Sequence, residues 1–232
     1  MAAPPFTVRS ESVCHGGRVG FYTHQSAALG LEARFAVFMP PNAAANAPVP
    51  VVYVLAGLTC TEETFFIKAH ALQEAARLGV ALVATDTSPR GAGIEGEDTD
   101  WDFGTGAGFY LDATIAPWSS HYRMGRYITQ ELPALVEAHF ALDGTRRGIM
   151  GHSMGGMVRW CMGCGRRRFG NLSRLLRLLC TLRLCRGGKR LLPTTLGQTN
   201  RRGVLTMPCA CCKMDTATPT PFWLTKAWQT SF

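Results

Sequence analysis

The chain has 232 residues, 47% hydrophobic and 17% charged, which are globular values with room for one domain or a small two-lobed one. No apolar run approaches the roughly eighteen residues of a membrane-spanning helix, and the start, Met-Ala-Ala-Pro-Pro-Phe-Thr-Val-Arg, lacks the apolar segment of a signal peptide. A cytoplasmic protein without membrane contact is therefore expected. The net charge of +8 averages two unlike parts: residues 1 to 156 hold 10 basic and 15 acidic residues, and residues 157 to 232 hold 14 basic residues and one acid, Asp215. Seven of the nine cysteines lie in the second part, whereas all six histidines lie at or before His152.

In chain order, Arg34-Phe-Ala-Val-Phe-Met39 reads as a strand stopped by Pro40 and Pro41. Val49 to Ala56 is a near-continuous apolar run, the mark of a strand buried on both faces of a parallel sheet. Gly57 to Thr61 follows as a loop. Phe66, Ala69, Leu72 and Ala76 predict a helix from about Glu62 to Leu78, stopped by Gly79. Val80 to Ala84 is a second buried strand, so the three elements form a βαβ unit with a parallel sheet. Residues 90 to 120, rich in Gly, Asp and Trp, form an insertion too long to be a plain connection. Residues 121 to 140 return to helix, which Pro133 should kink or split. Arg147 to Met150 is a strand feeding Gly151-His-Ser-Met-Gly155.

That last stretch has the G-x-S-x-G form of a nucleophile elbow. Ser153 must stand on a sharp strand-to-helix turn, and the flanking glycines leave space where a Cβ would collide. The amide of Met154 then points where an oxyanion would form. A serine hydroxyl is a weak nucleophile at neutral pH and needs a base oriented by an acid. His152 is unsuited as that base, because a side chain adjacent at such a turn points away from Ser153.

Several stretches together resemble the S-formylglutathione hydrolase (esterase D) family: Leu55-Ala-Gly-Leu-Thr-Cys-Thr61, Asp86-Thr-Ser-Pro-Arg-Gly91, Trp101-Asp-Phe-Gly104, Gly106-Ala-Gly-Phe-Tyr-Leu111, Pro117-Trp118, His121-Tyr-Arg-Met124 and Gly151-His-Ser-Met-Gly-Gly156. The resemblance covers roughly residues 6 to 156. It implies an α/β-hydrolase fold with a mostly parallel sheet. It also implies hydrolysis of S-formylglutathione to formate and glutathione, general carboxylesterase activity, no cofactor or metal, and a possible homodimer. By motif, Ser153 matches the nucleophile, and the backbone amides of Leu58 and Met154 match the oxyanion hole. Cys60 matches a cysteine near the active site, and Trp101 and Phe109 are expected to wall the substrate pocket.

After Gly156 the likeness ends. The family continues Gly-Gly-His-Gly-Ala-Leu, where this chain reads Met157-Val-Arg-Trp-Cys161. Back-translated and read one base earlier, those codons can spell His-Gly-Ala-Leu-Val, with Gly and Val forced. A shifted reading frame accounts for the break and for the Arg, Leu and Cys enrichment beyond it. Residues 1 to 156 are then the N-terminal part of a hydrolase domain, and residues 157 to 232 are a basic tail expected to be disordered, the C-terminal part of the fold being missing or non-native. The tail supplies no triad histidine, so the chain is expected to be nearly inactive. Cys161-x-x-Cys164 with Cys209, Cys211 and Cys212 fits no familiar zinc spacing. The two rival functions are a basic nucleic-acid-binding protein built around Arg166 to Arg168, and an esterase of other specificity using an upstream histidine such as His121.

Overall fold

The computed structural model of the chain describes residues 5–156. The basic tail, including Cys161, Cys164, the arginines at 166 to 168 and Asp215, lies outside the described residues, and so do the disorder, zinc and nucleic-acid readings attached to it.

Six strands, β1 (Thr7–Cys14), β2 (Gly17–Ser26), β3 (Leu31–Met39), β4 (Val49–Leu55), β5 (Ala81–Thr85) and β6 (Leu142–Gly151), form one sheet in the order β1-β2-β3-β5-β4-β6. The sheet is mixed. β5 and β6 each run parallel to β4, as the βαβ reading requires, with Val52 opposite both Leu82 and Gly148. The first three strands form an antiparallel meander that joins the parallel part through β3 and β5. His15 and Gly16, both at positive φ, make the two-residue turn between β1 and β2.

The strands of the central part bury both faces, which explains their unbroken apolar sequence. Phe35, Val37, Val51, Tyr53, Leu55, Ala81 and Val83 face one core, and Ala36, Phe38, Val54, Leu82 and Ala84 face the other. Each large apolar side chain so buried contributes on the order of 1.5–3 kcal/mol. The second face is covered by α1 (Thr64–Lys68) and α2 (Leu72–Leu78) through Phe66, Leu72 and Ala75. The first is covered by α3 (Met124–Arg126), a π-helical turn (Tyr127–Glu131) and α4 (Leu132–His139), through Met124, Tyr127, Ile128, Leu132 and Val136. Helices on both faces of a sheet whose parallel part carries the elbow are the α/β-hydrolase arrangement.

Two helices differ from their sequence reading. The single helix expected from Glu62 to Leu78 is broken: α1 ends at Lys68 and α2 starts at Leu72, with His70 between them at φ +50°. The break resets the phase, so Ala75 rather than Ala76 joins Leu72 in the core and Ala69 is left exposed. Gly79 is the left-handed cap, as expected. At Pro133, where a kink or split was expected, the helix changes type without a gap. The π turn lies just before it, and Pro133 stands at the start of α4, where its missing N–H costs no bond.

Candidate active site

Parallel strands β4, β5 and β6 end side by side at Leu55, Thr85 and Gly151. The pairing of β4 with β6 runs one step further, the amide of His152 donating to the carbonyl of Leu55 at 3.0 Å. The chain then reverses. Ser153 takes φ +52°, a left-handed conformation that costs an ordinary side chain about 1–2 kcal/mol, and a helical turn starts at Met154. This is the elbow geometry. It is affordable sterically only with the two flanking glycines. A Cβ on Gly151 would stand 2.3 Å from the Gly155 carbonyl carbon, and one on Gly155 would stand 2.1 Å from the Leu55 oxygen. The Ser153 side chain is exposed and the Met154 side chain is buried. As the first residue of a helical turn, Met154 has an amide without an intrahelical acceptor.

The loop after β4 lies against this turn. A Cβ on Gly57 would meet the Cβ of Ser153 at 3.2 Å, so the loop backbone runs directly beside the serine. Among the described residues the Leu58 amide donates no hydrogen bond, while the next two amides are bound. The Thr59 amide donates to Gly106 O at 2.9 Å and the Cys60 amide to Gly57 O at 3.3 Å. The Cys60 carbonyl accepts Thr87 Oγ1 at 2.6 Å, and the Ala56 carbonyl accepts the Tyr110 hydroxyl at 3.1 Å. Thr59 itself is at φ +64°. The loop that carries Leu58 and the turn that carries Ser153 and Met154 therefore lie against each other at the ends of β4 and β6. The structure places Cys60 beside them as a half-buried free thiol.

The expected pocket walls are placed differently. Phe109 is buried in the core cluster shared with Leu55 and Met154. Trp101 is 69% exposed, because Asp102 turns inward in the same bend and carries Phe103 with it. A small cavity inside the insertion is lined by Phe103, Leu111, Trp118 and Tyr122, not by Trp101.

Sequence reasoning missed the supports of this loop. Asp86, buried, receives two hydrogen bonds from Arg90, from Nε at 3.0 Å and from a terminal nitrogen at 2.6 Å, and one from the Thr87 amide at 2.6 Å. Arg90 also reaches the Cys60 carbonyl at 3.4 Å. The i, i+4 spacing of Asp86 and Arg90 in a stretch already singled out was the available signal. Glu62 is 1% exposed and bonded to Arg9 at 3.0 Å through one oxygen, and its other oxygen has no partner among the described residues. Burial pushes its carboxyl above the usual range despite that pair.

Among the described residues no hydrogen bond joins Ser153 to a histidine, and the His152 ring lies against Gly57, where an added Cβ would stand 3.4 Å from its Cδ2. His24 Nε2 is 3.0 Å from the Tyr127 hydroxyl, and His121 Nδ1 is 2.8 Å from the Leu29 carbonyl, at the turn between β2 and β3. His139 packs edge-on to Phe6. His15 and His70 sit in the turns already described. Among the described residues no cluster of three or more His, Cys, Asp or Glu side chains could hold a metal ion, and no helix is long and apolar enough to cross a membrane.

Against known proteins, the Esterase family model matches residues 26–166, running past Gly156. The S-formylglutathione hydrolase of Mus musculus is 50% identical over 147 residues, covering 63% of this chain and 52% of that protein. The Bos taurus S-formylglutathione hydrolase is 44% identical over 190 residues, covering 81% of this chain and 66% of that protein, an alignment longer than the part before the elbow. A solved S-formylglutathione hydrolase from Agrobacterium tumefaciens superposes with a TM-score of 0.65 at 46% identity, covering 68% of this chain and 56% of that one. The chain spans about half the length of most of the curated relatives it matches. With a serine held at a left-handed φ between two obligatory glycines, and with the family model matched over more than half its length, the chain belongs to the esterase family of α/β-hydrolase fold.

Proposed function

We propose that Ser153 is the nucleophile of a serine thioesterase and carboxylesterase whose substrate is S-formylglutathione. The reading rests above all on the strained Ser153 backbone against the loop at Gly57, and its substrate comes from the relatives' names. Ser153 Oγ attacks the formyl carbonyl and the carbonyl oxygen becomes an anion held by the Leu58 and Met154 amides. Collapse breaks the C–S bond, releases glutathione, and leaves formyl-serine. Water then cleaves that ester to formate and restores the hydroxyl. Neither step calls for a cofactor.

His24 and His121 are engaged elsewhere, so the proton of Ser153 passes to solvent rather than to an oriented base. Turnover by this chain is therefore slow, sustained by the oxyanion hole and binding, which alone give about 10³–10⁴-fold over water when triad members are lost in other serine hydrolases. We attribute the change of composition after Gly156 to a one-base shift, and the gene sequence around codon 157, translated in all three frames, tests that. Hydrolysis of S-formylglutathione, followed as release of free thiol by wild type and by Ser153→Ala, tests the activity. A small rate lost in the variant supports it, and equal rates in the two proteins refute it.

A further inference from the structure

We propose that Tyr110 is a positioning residue for the oxyanion hole, fixing the direction of the Leu58 amide from behind the loop. This rests on the nucleophile reading above and names a residue that reading does not use. The loop has two carbonyls that flank Leu58 at equal distance in sequence, Ala56 and Cys60. The first accepts the Tyr110 hydroxyl at 3.1 Å and the second accepts Thr87 Oγ1 at 2.6 Å. Between them, the Thr59 amide is held by Gly106 O. The loop is thus pinned at Ala56, Thr59 and Cys60, on both sides of Leu58 in sequence, while the Leu58 amide itself donates no hydrogen bond among the described residues.

The support is itself over-determined, which a simple packing residue would not need. Tyr110 is fully buried, and both it and Phe109 are at positive φ, +52° and +50°, a conformation non-glycine residues adopt only where their surroundings compel it. The glycines before them allow the close approach. Gly106 lies at φ +79°, where a Cβ would come within 3.1 Å of Thr59 Cα, and its amide is bonded to Ser88 Oγ at 2.8 Å. A Cβ on Gly108 would meet the Thr87 carbonyl at 2.8 Å. Burial also pushes the Tyr110 hydroxyl above its ordinary titration range, which favours the protonated donor form. The strained insertion segment presses the tyrosine onto the loop, and the tyrosine holds the Ala56–Gly57 peptide, the one directly before the plane that carries the Leu58 amide.

The test is the rate at which a fluorophosphonate phosphonylates Ser153, resolved into kinact and KI, together with the ¹H–¹⁵N cross-peak of Leu58. Wild type, Tyr110→Phe and Tyr122→Phe are compared. Tyr122 has a similarly buried hydroxyl, bonded to Glu97 and away from the loop. We expect Tyr110→Phe to lower kinact by about 10-fold or more, to leave KI within about twofold, and to displace the Leu58 cross-peak. Tyr122→Phe should match wild type in all three. Equal kinact in Tyr110→Phe and wild type overturns the proposal. Should wild type form no adduct at Ser153, the nucleophile reading fails by itself. The cross-peak then decides alone, an unmoved Leu58 overturning the positioning role and a displaced one supporting it. If Tyr110→Phe does not fold, 3,5-difluorotyrosine at position 110, which alters the donor strength of the same hydroxyl, takes its place, an unmoved Leu58 cross-peak overturning the proposal and a displaced one supporting it.

Discussion

Gly57 and Ser153 face each other so closely that a Cβ on the glycine would sit 3.2 Å from the Cβ of the serine. This contact ties the loop after β4 to the turn after β6, two elements nearly a hundred residues apart in sequence, and sets the distance from hydroxyl to oxyanion amide. Gly57→Ala forces that separation to widen by a few tenths of an ångström. We expect Ser153 reactivity toward a fluorophosphonate to fall on the order of 10-fold, with thermal unfolding changed by less than about 1 kcal/mol, because the loop can give where a core cannot. Parallel rate and unfolding measurements check both halves of the expectation.

Gly155→Ala should behave in the opposite way. The added Cβ would meet the Leu55 carbonyl oxygen at 2.1 Å, and both partners are backbone at the junction of β4 and β6. Neither can yield without parting the two strands. The expected loss is about 1–3 kcal/mol or more, seen as a lower midpoint in urea.

Ser153→Gly separates stability from chemistry. The left-handed conformation at φ +52° is strained for serine and free for glycine. The variant should gain about 1 kcal/mol in stability and lose all reaction at the elbow. A rise of a few degrees in Tm together with absent labelling is the expected pair of results.

His24 gives the fold a pH dependence. It is buried against Phe35 and lies 3.0 Å from the Tyr127 hydroxyl. Burial lowers its pKa from the ordinary 6.5, outweighing the attraction of Glu131. The unfolded chain therefore binds the proton first as pH falls. Stability is complete above about 6.5 and declines as pH drops below it toward the lowered value. His24→Gln, which can still bond Tyr127, should flatten Tm against pH across that window.

The legible part of the fold was its parallel half. Val49 to Ala56 and Val80 to Ala84 are buried on both faces, so their apolar runs announce them, and G-x-S-x-G marks the elbow because steric limits leave the glycines no substitute. Of the antiparallel meander only Arg34 to Met39 of β3 was legible. β1 is exposed along nearly its whole length, with Val13 at 82%, so its residues carry no burial pattern to read. The break at His70 was also illegible, since a left-handed histidine is imposed by tertiary packing and not by local propensity. Within the site, Ser153, Leu58 and Met154 followed from motif, while Tyr110, Thr87, Asp86 and Arg90 emerged only when the loops were folded together. Trp101 is exposed, and its aromatic character in the sequence says nothing about the direction of a bend.

The most direct measurement of the central claim is the site of covalent modification by a fluorophosphonate in the folded chain, mapped by peptide mass spectrometry. The account predicts a slow, single adduct on Ser153 that is absent in Ser153→Ala. An adduct on another serine with Ser153 untouched, or no adduct at Ser153 in a chain shown to be folded, would contradict it.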